Sequence, residues 1–313
     1  MEILNRWETP EGRKTSAEVV SRLRRRKPLD KLPLDTVDGR WDLRGFRWPT
    51  VDVKMQRLDR FTAAVATRKL PELRGVQLSG VDFSQAVLPH LRLFDSTVSD
   101  CVFDGALMGD LRAWRTSFEH CDLTGADLRG SLVGGWDQGK GNVWRHCRFA
   151  STSLQKIVVR GAVFEDCVFD NAGIGSLAVD ACTFRRVRFV GPLVDIAFYG
   201  PTKPDGPQEA VLEDVDLTEA RVSGLMFVGL RLSGVRFPAD GDFAVFPDGR
   251  ARLQRVLEAL EGDSSEEAYA LTVLARSTIK QYRDDSDLYV NYDDLARDVS
   301  VRGAELMRRL VSD

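Results

Sequence analysis

The sequence predicts a mostly β solenoid whose chain turns a corner every five residues, with a helical segment before it and an α-helical cap after it. Three observations lead there: an apolar period of five, like residues spaced 20 apart, and helical patterns confined to the two flanks.

A helix buries residues at a period near 3.6 and a strand at a period of about 2. In CDLTGADLRGSLV (121–133), Leu123, Leu128 and Val133 lie five apart, so the segment is tested first as an internal repeat. The frame runs without a polar centre from Leu73 to Val133. It slips by one after GGWDQGKG, resumes from Trp144 to Phe189, breaks again, and returns from Leu212 to Phe237. With 43% of the chain hydrophobic, chance produces such a series with a probability on the order of 10⁻¹¹. The residue two before each centre is mostly small or apolar, as at Cys101, Cys121, Ala126, Cys147, Ala162, Cys167 and Cys182. Two inward residues in five describe the corner-turning chain.

ADLRG (126–130) and CDLTG (121–125) carry a small residue, Asp, Leu, a polar residue and Gly, and on this motif the segment 73–237 resembles the pentapeptide-repeat family. The resemblance implies a right-handed quadrilateral parallel β-helix in which four pentapeptides make one turn and residues 20 apart stack. Phe149, Phe169 and Phe189 have that spacing, as do Trp144, Phe164 and Phe184.

The flanks follow other periods. The chain divides into a basic N-terminal helical arm (1–35), an imperfect first turn with an interrupting helix (36–72), the β-helix (73–237) with loops at 134–141 and 190–209, and a C-terminal helical region (238–313). TSAEVVSRLRRRK (15–27) opens on a capping-box pattern, Thr15 and Glu18, and ends before Pro28. Its arginines suit a solvated or docking face better than a nucleic-acid arm. Leu43, Trp48 and Val53 share the frame of Leu73 and form the imperfect turn, and 55–70 reads as a helix interrupting the coil. Beyond the repeat, 251–262 is helical with Gly262 as its stop. A second helix spans 264–282 behind Ser264 and Glu267, and a third covers Tyr292 to Val311. Open coil ends expose unpaired edges and a core cross-section, so such caps are required.

The N-terminus lacks the apolar run of a signal peptide and no stretch approaches a membrane span, which makes the cytoplasm the expected location and a membrane partner unexpected. All five cysteines occupy the inward small-residue position and are expected as free, buried thiols. GGWDQGKG comes within one residue of a phosphate loop, but Gly141 stands where Ser or Thr would hold magnesium and no helix follows. DDSDLYVNYDD (284–294) lacks the central Gly and final Glu of a calcium loop and reads as a linker. His90, His120 and His146 lie two after a centre and point outward, whereas the cysteines point inward, so they share no metal. Neither catalytic residues, nor a metal site, nor a cofactor is assigned.

Function is therefore expected from surfaces and interruptions. The first loop offers Trp136, Asp137 and Lys140, and the second offers Phe198 and Tyr199, as groups a protein partner would bury. An acidic wall is expected at Asp82, Asp104, Asp122 and Asp127. The resemblance implies a possible type II topoisomerase partner, such as DNA gyrase, with antibiotic resistance as the outcome, and a homodimer through the C-terminal helices. Acidic residues outnumber basic ones 9 to 5 over 71–133 but are outnumbered 4 to 7 over 142–189, which disfavours DNA mimicry along the whole rod and a nucleic-acid partner. Three readings stay open: a non-enzymatic protein-binding scaffold, a topoisomerase-interacting protein, and an enzyme or ligand binder with a pocket between the β-helix and its flanking helices.

Overall fold

The computed structural model describes residues 5–48, 53–58, 61–66, 70–201 and 206–312. Their short strands stack in parallel as a right-handed quadrilateral β-helix, the hand that parallel crossovers take. Successive coils pair at a spacing of 20, as in Leu73↔Leu93 and Phe149↔Phe169. The aromatic columns form as expected. Phe149 stacks on Phe169 at 4.5 Å and Phe169 on Phe189 at 4.9 Å, while Phe164 lies 5.0 Å from Phe184. The corners need positive φ, and one corner column reads Gly80, Asp100, His120, His146, Asp166 and Arg186, all with φ above zero. Gly, Asp and His tolerate that region best, which explains why polar residues close so many repeats.

Cys101, Cys121, Cys147 and Cys167 are buried and free, as is Cys182. Burial pushes the Cys101 thiol up and the Cys182 thiol to about 12. Alkylating reagents are expected to label none of the five in the native chain and all of them in denaturant; mass spectrometry that finds native labelling at Cys147 or Cys167 would contradict this packing.

Several boundaries differ from expectation. The N-terminal helix, α1, is Pro10–Arg24, and its N-cap is Thr9, whose hydroxyl accepts from Gly12 N at 3.0 Å. Pro10 at the first helical position moves the start upstream of Thr15. Val19, Val20 and Leu23 of α1 are buried against the first coils, so this basic helix docks as an end cap. Trp41 pairs with Val81, and Leu43 and Trp48 are buried, giving a partial first turn. In place of the expected helix, the described residues of 55–70 include an antiparallel hairpin of Val53–Leu58 with Phe61–Ala66, and 59–60 and 67–69 lie outside the described residues. Hairpin residues such as Thr62 and Val65 are β-branched, which weakens a helix and suits a strand.

The second interruption is shorter than expected. Thr183–Tyr199 is one continuous strand with Leu193, Ile196 and Phe198 buried, so the coil persists through 199. Its frame was hidden because Val179 pairs with Phe198 across 19 residues rather than 20. The true detour follows Tyr199, with 202–205 outside the described residues, and Phe198 then pairs with Phe227.

At the C-terminal end α2 (Gly249–Ala259) precedes α3 (Glu266–Thr278), which is capped by Ser265 rather than Ser264. The expected third helix is two, α4 (Tyr292–Asp298) and α5 (Val301–Ser312), because Ser300 interrupts the run and its hydroxyl accepts from Gly303 N at 3.0 Å. The expected linker at 284–294 contains a strand, Leu288–Asn291, antiparallel to Phe243–Phe246. From that strand the Tyr289 ring stacks on Phe237 at 5.4 Å and closes the core. Among the described residues no helix is long and apolar enough to cross a membrane.

Candidate functional site

Of the expected loop anchors only Lys140 is exposed. Trp136 is half-buried with its ring over Gly161, where Pro207 of the second detour also packs, so the two interruptions meet on one wall. Asp137 pairs with Arg115, which also binds Asp95. Lys140 is exposed, opposite Asp137 in a tight turn through Gln138 and Gly139, both with positive φ. The loop's glycines serve close backbone approach rather than phosphate: a Cβ at Gly135 would strike Ala113 O, and one at Gly141 would strike Gly161 O. Asn142, missed in the sequence reading, anchors the loop base. Fully buried, it donates to Ala113 O at 2.8 Å and Val133 O at 3.1 Å, and accepts from Thr116 N at 3.1 Å. Phe198 is core, packed between Phe184 and Phe227, and Tyr199 packs against the helical cap.

The acidic residues do not form one continuous wall. Asp82 and Asp122 share a column but are separated by Val102, and Asp127 lies in a different column with Val87 and Leu107. Asp82 accepts from Ser84 and Asp122 from Thr124, while Arg129 holds the Asp127 carboxyl below its usual range by hydrogen bonding. Asp104 is exposed. An alternating ladder, Glu119–Arg145–Glu165–Arg186, neutralises a further stretch. His120 and His146 stack at 4.6 Å because the loop insertion brings them into register.

A different feature stands out from the paired surface. Between the coil wall and α3 lies a groove of about 790 Å³, lined by Ala197 and Met226 from the wall and by Tyr269, Val273 and Leu274 from α3. Ala268, Leu271 and Ala275 of α3 are buried in the helical core, with Leu271 and Ala275 also reaching the groove. The groove side stays open: Tyr269 is 73% exposed, Val273 51%, Leu274 38% and Met226 37%. Ala197 pairs with Met226 and with Ala178, and the column continues outward through Val158, 48% exposed, to Leu132. Further along this wall Phe94 and Trp114 stack at 4.6 Å with the Arg74 guanidinium over Phe94.

The groove's polar groups sit at its rim. Arg297 binds Asp294 and Asp298, each at 2.8 Å, and Ser223 at 3.0 Å, while Asp294 accepts from Gly224 N at 2.9 Å. Asp298 and Asp294 hold the Arg297 guanidinium above its usual range. Asp195 lines the same rim and is exposed. Tyr289, whose buried hydroxyl has no hydrogen-bond partner among the described residues, is also part of the lining. Among the described residues no cluster of His, Cys, Asp and Glu could hold a metal ion. The sequence signal for this site was available in α3, whose residues are apolar on both faces.

Residues 98–132 match the family model of pentapeptide repeats, in 8 copies. Among solved structures, the chain is similar to QnrB1, described as a plasmid-mediated fluoroquinolone resistance protein, with 16% identity, coverage of 54% of this chain and 84% of that one, and a TM-score of 0.35. It is also similar to HetL, a pentapeptide repeat protein involved in heterocyst differentiation regulation from the cyanobacterium Nostoc sp. strain PCC 7120, with 18% identity, 54% and 84% coverage and a TM-score of 0.30. No curated protein matches the chain.

Proposed function

We propose that this chain, whose residues 98–132 match the pentapeptide-repeat model, is a protein-binding scaffold engaging its partner through the groove between wall and α3. The observation that supports this reading is the convergence of Met226, Tyr269, Val273 and Leu274, all exposed, on one groove. Exposed apolar clusters of this kind mark interaction sites, and these side chains stand on elements fixed from behind, which lowers the entropy lost on binding. A type II topoisomerase as partner would be recognised by this groove rather than through a DNA-like surface, because most wall carboxylates are already paired. Affinity isolation from the native host tests the reading. Wild-type chain is expected to recover a stoichiometric partner, Val273→Asp at least about tenfold less, and Asp104→Lys an undiminished amount at physiological salt. Equal recovery by Val273→Asp and wild type would remove the groove from the function.

A further inference from the structure

The groove and the apolar column beside it form one surface, and its shape and charge specify what covers it. Resting on the docking reading above, we infer that it receives an amphipathic α-helix of a partner protein, lying along the coil axis with a basic C-terminal end at Asp195 and Asp298.

Form comes first. The wall's backbone N–H and C=O groups are spent on neighbouring coils, as in Val158 N to Ser131 O and Gly200 N to Val228 O, so only side chains face outward. A docking segment finds no strand edge to extend and must satisfy its own backbone, which a helix does. From Leu132 to Met226 the column crosses four coil steps, about 19 Å at the usual strand spacing, or about 13 residues of helix. A small ligand in the groove would leave Tyr269 and Val158 uncovered. A twofold contact of α3 with a second copy would cover Tyr269 and Val273 but leave Val158 and Ala178 bare.

Charge sets the direction. At the α3 end the groove lining holds three carboxylates, Asp195, Asp294 and Asp298, and one guanidinium, Arg297, which pairs with the last two. At the other end Lys156 is exposed beside Val158 and Arg160 binds Asp180. Helices carry cations favourably at their C-termini and anions at their N-termini, so the natural polarity of a partner helix matches the surface in one orientation.

The test is selection of a displayed library of 16-residue peptides, with apolar residues at helical spacing and randomised charged flanks, on the full chain. Enriched peptides are expected to carry Lys or Arg in their last third and to become helical on binding by circular dichroism. In fluorescence anisotropy, Val158→Glu and Val273→Asp should each weaken the best peptide at least about tenfold. Leu107→Glu, at an exposed site on another wall, should not. Asp195→Lys with Asp298→Lys should reverse the preferred charge order. Enrichment without helical spacing, indifference to Val158→Glu, or a dimer in sedimentation velocity that Val273→Asp dissociates would each overturn the inference. If the peptides fail while partner recovery still depends on Val273, the docking reading survives and the helix does not; if both fail, both are wrong.

Discussion

Replacing Trp144 with alanine is expected to lower the stability of the chain by about 3–5 kcal/mol, the range for removing a large aromatic from a packed core. Trp144 is fully buried, lies 3.9 Å from the Phe118 ring in parallel and 5.4 Å from Phe149, and donates its indole N–H to Val133 O at 3.1 Å. The surrounding backbone cannot collapse into the cavity because Val143, Trp144 and Arg145 are held in register with both neighbouring coils. Each coil is stabilised mainly by the coils it touches, so the loss falls on both interfaces at once. Trp144→Phe should recover most of the stability, since phenylalanine fills this column at 118 and 164. Arg145→Ala, which removes ion pairs with the half-buried Glu119 and Glu165 side chains from a guanidinium that is itself largely open to water, should cost about 1 kcal/mol. Denaturant melts followed by circular dichroism measure all three. Equal sensitivity at 144 and 145 would show that the inward and outward positions are misassigned.

Asp42→Asn is expected to cost about 2–3 kcal/mol and to loosen the N-terminal cap. The Asp42 carboxylate is buried and takes hydrogen bonds from Arg6 at 2.6 and 2.9 Å and from Arg44 at 3.0 Å on both oxygens. Breaking a buried ion pair costs about 3–5 kcal/mol, and the lower figure allows for guanidiniums that remain about a third open to water. Burial pushes the Asp42 carboxyl up, but the Arg44 and Arg6 hydrogen bonds outweigh it and hold the group well below the usual carboxylate range. A depressed folded value means that the clasp stabilises fully above the unfolded aspartate value of about 3.9 and is lost progressively as pH falls from there through the lower folded value. Trp7 reports the event: its ring lies 5.3 Å from Phe46 and its indole N–H donates to Arg44 O at 2.8 Å. Tryptophan emission of the wild type should therefore shift to longer wavelength only well below about pH 4, as pH falls toward the depressed folded value, with less change in the Asp42→Asn variant. An unchanged acid transition in that variant would assign the effect to other carboxylates.

The cysteine-inward core was legible because each pentapeptide makes its own decision. Its central and preceding residues point inward whatever lies elsewhere, so Phe164, Cys167 and Phe169 could be placed from a five-residue window. Loop behaviour was less legible. Trp136 looked like an exposed tip, yet its place over Gly161 depends on a neighbouring coil and on Pro207, which is some seventy residues downstream. Phe198 looked like a loop residue only because one deleted residue shifted its frame, a change that stacked neighbours absorb while a fixed-period count does not.

Composition and period by themselves determined the solenoid, its inward columns, the need for caps and the burial of all five thiols, since those follow from local hydrophobic patterning that repeats. Tertiary structure alone decided the rest. It brought His120 onto His146, clasped Asp42 between Arg6 and Arg44, and set Met226 opposite Tyr269 and Val273 across an open groove. Those placements join segments tens of residues apart, and the distance between them is set by insertions whose length the five-residue code does not read.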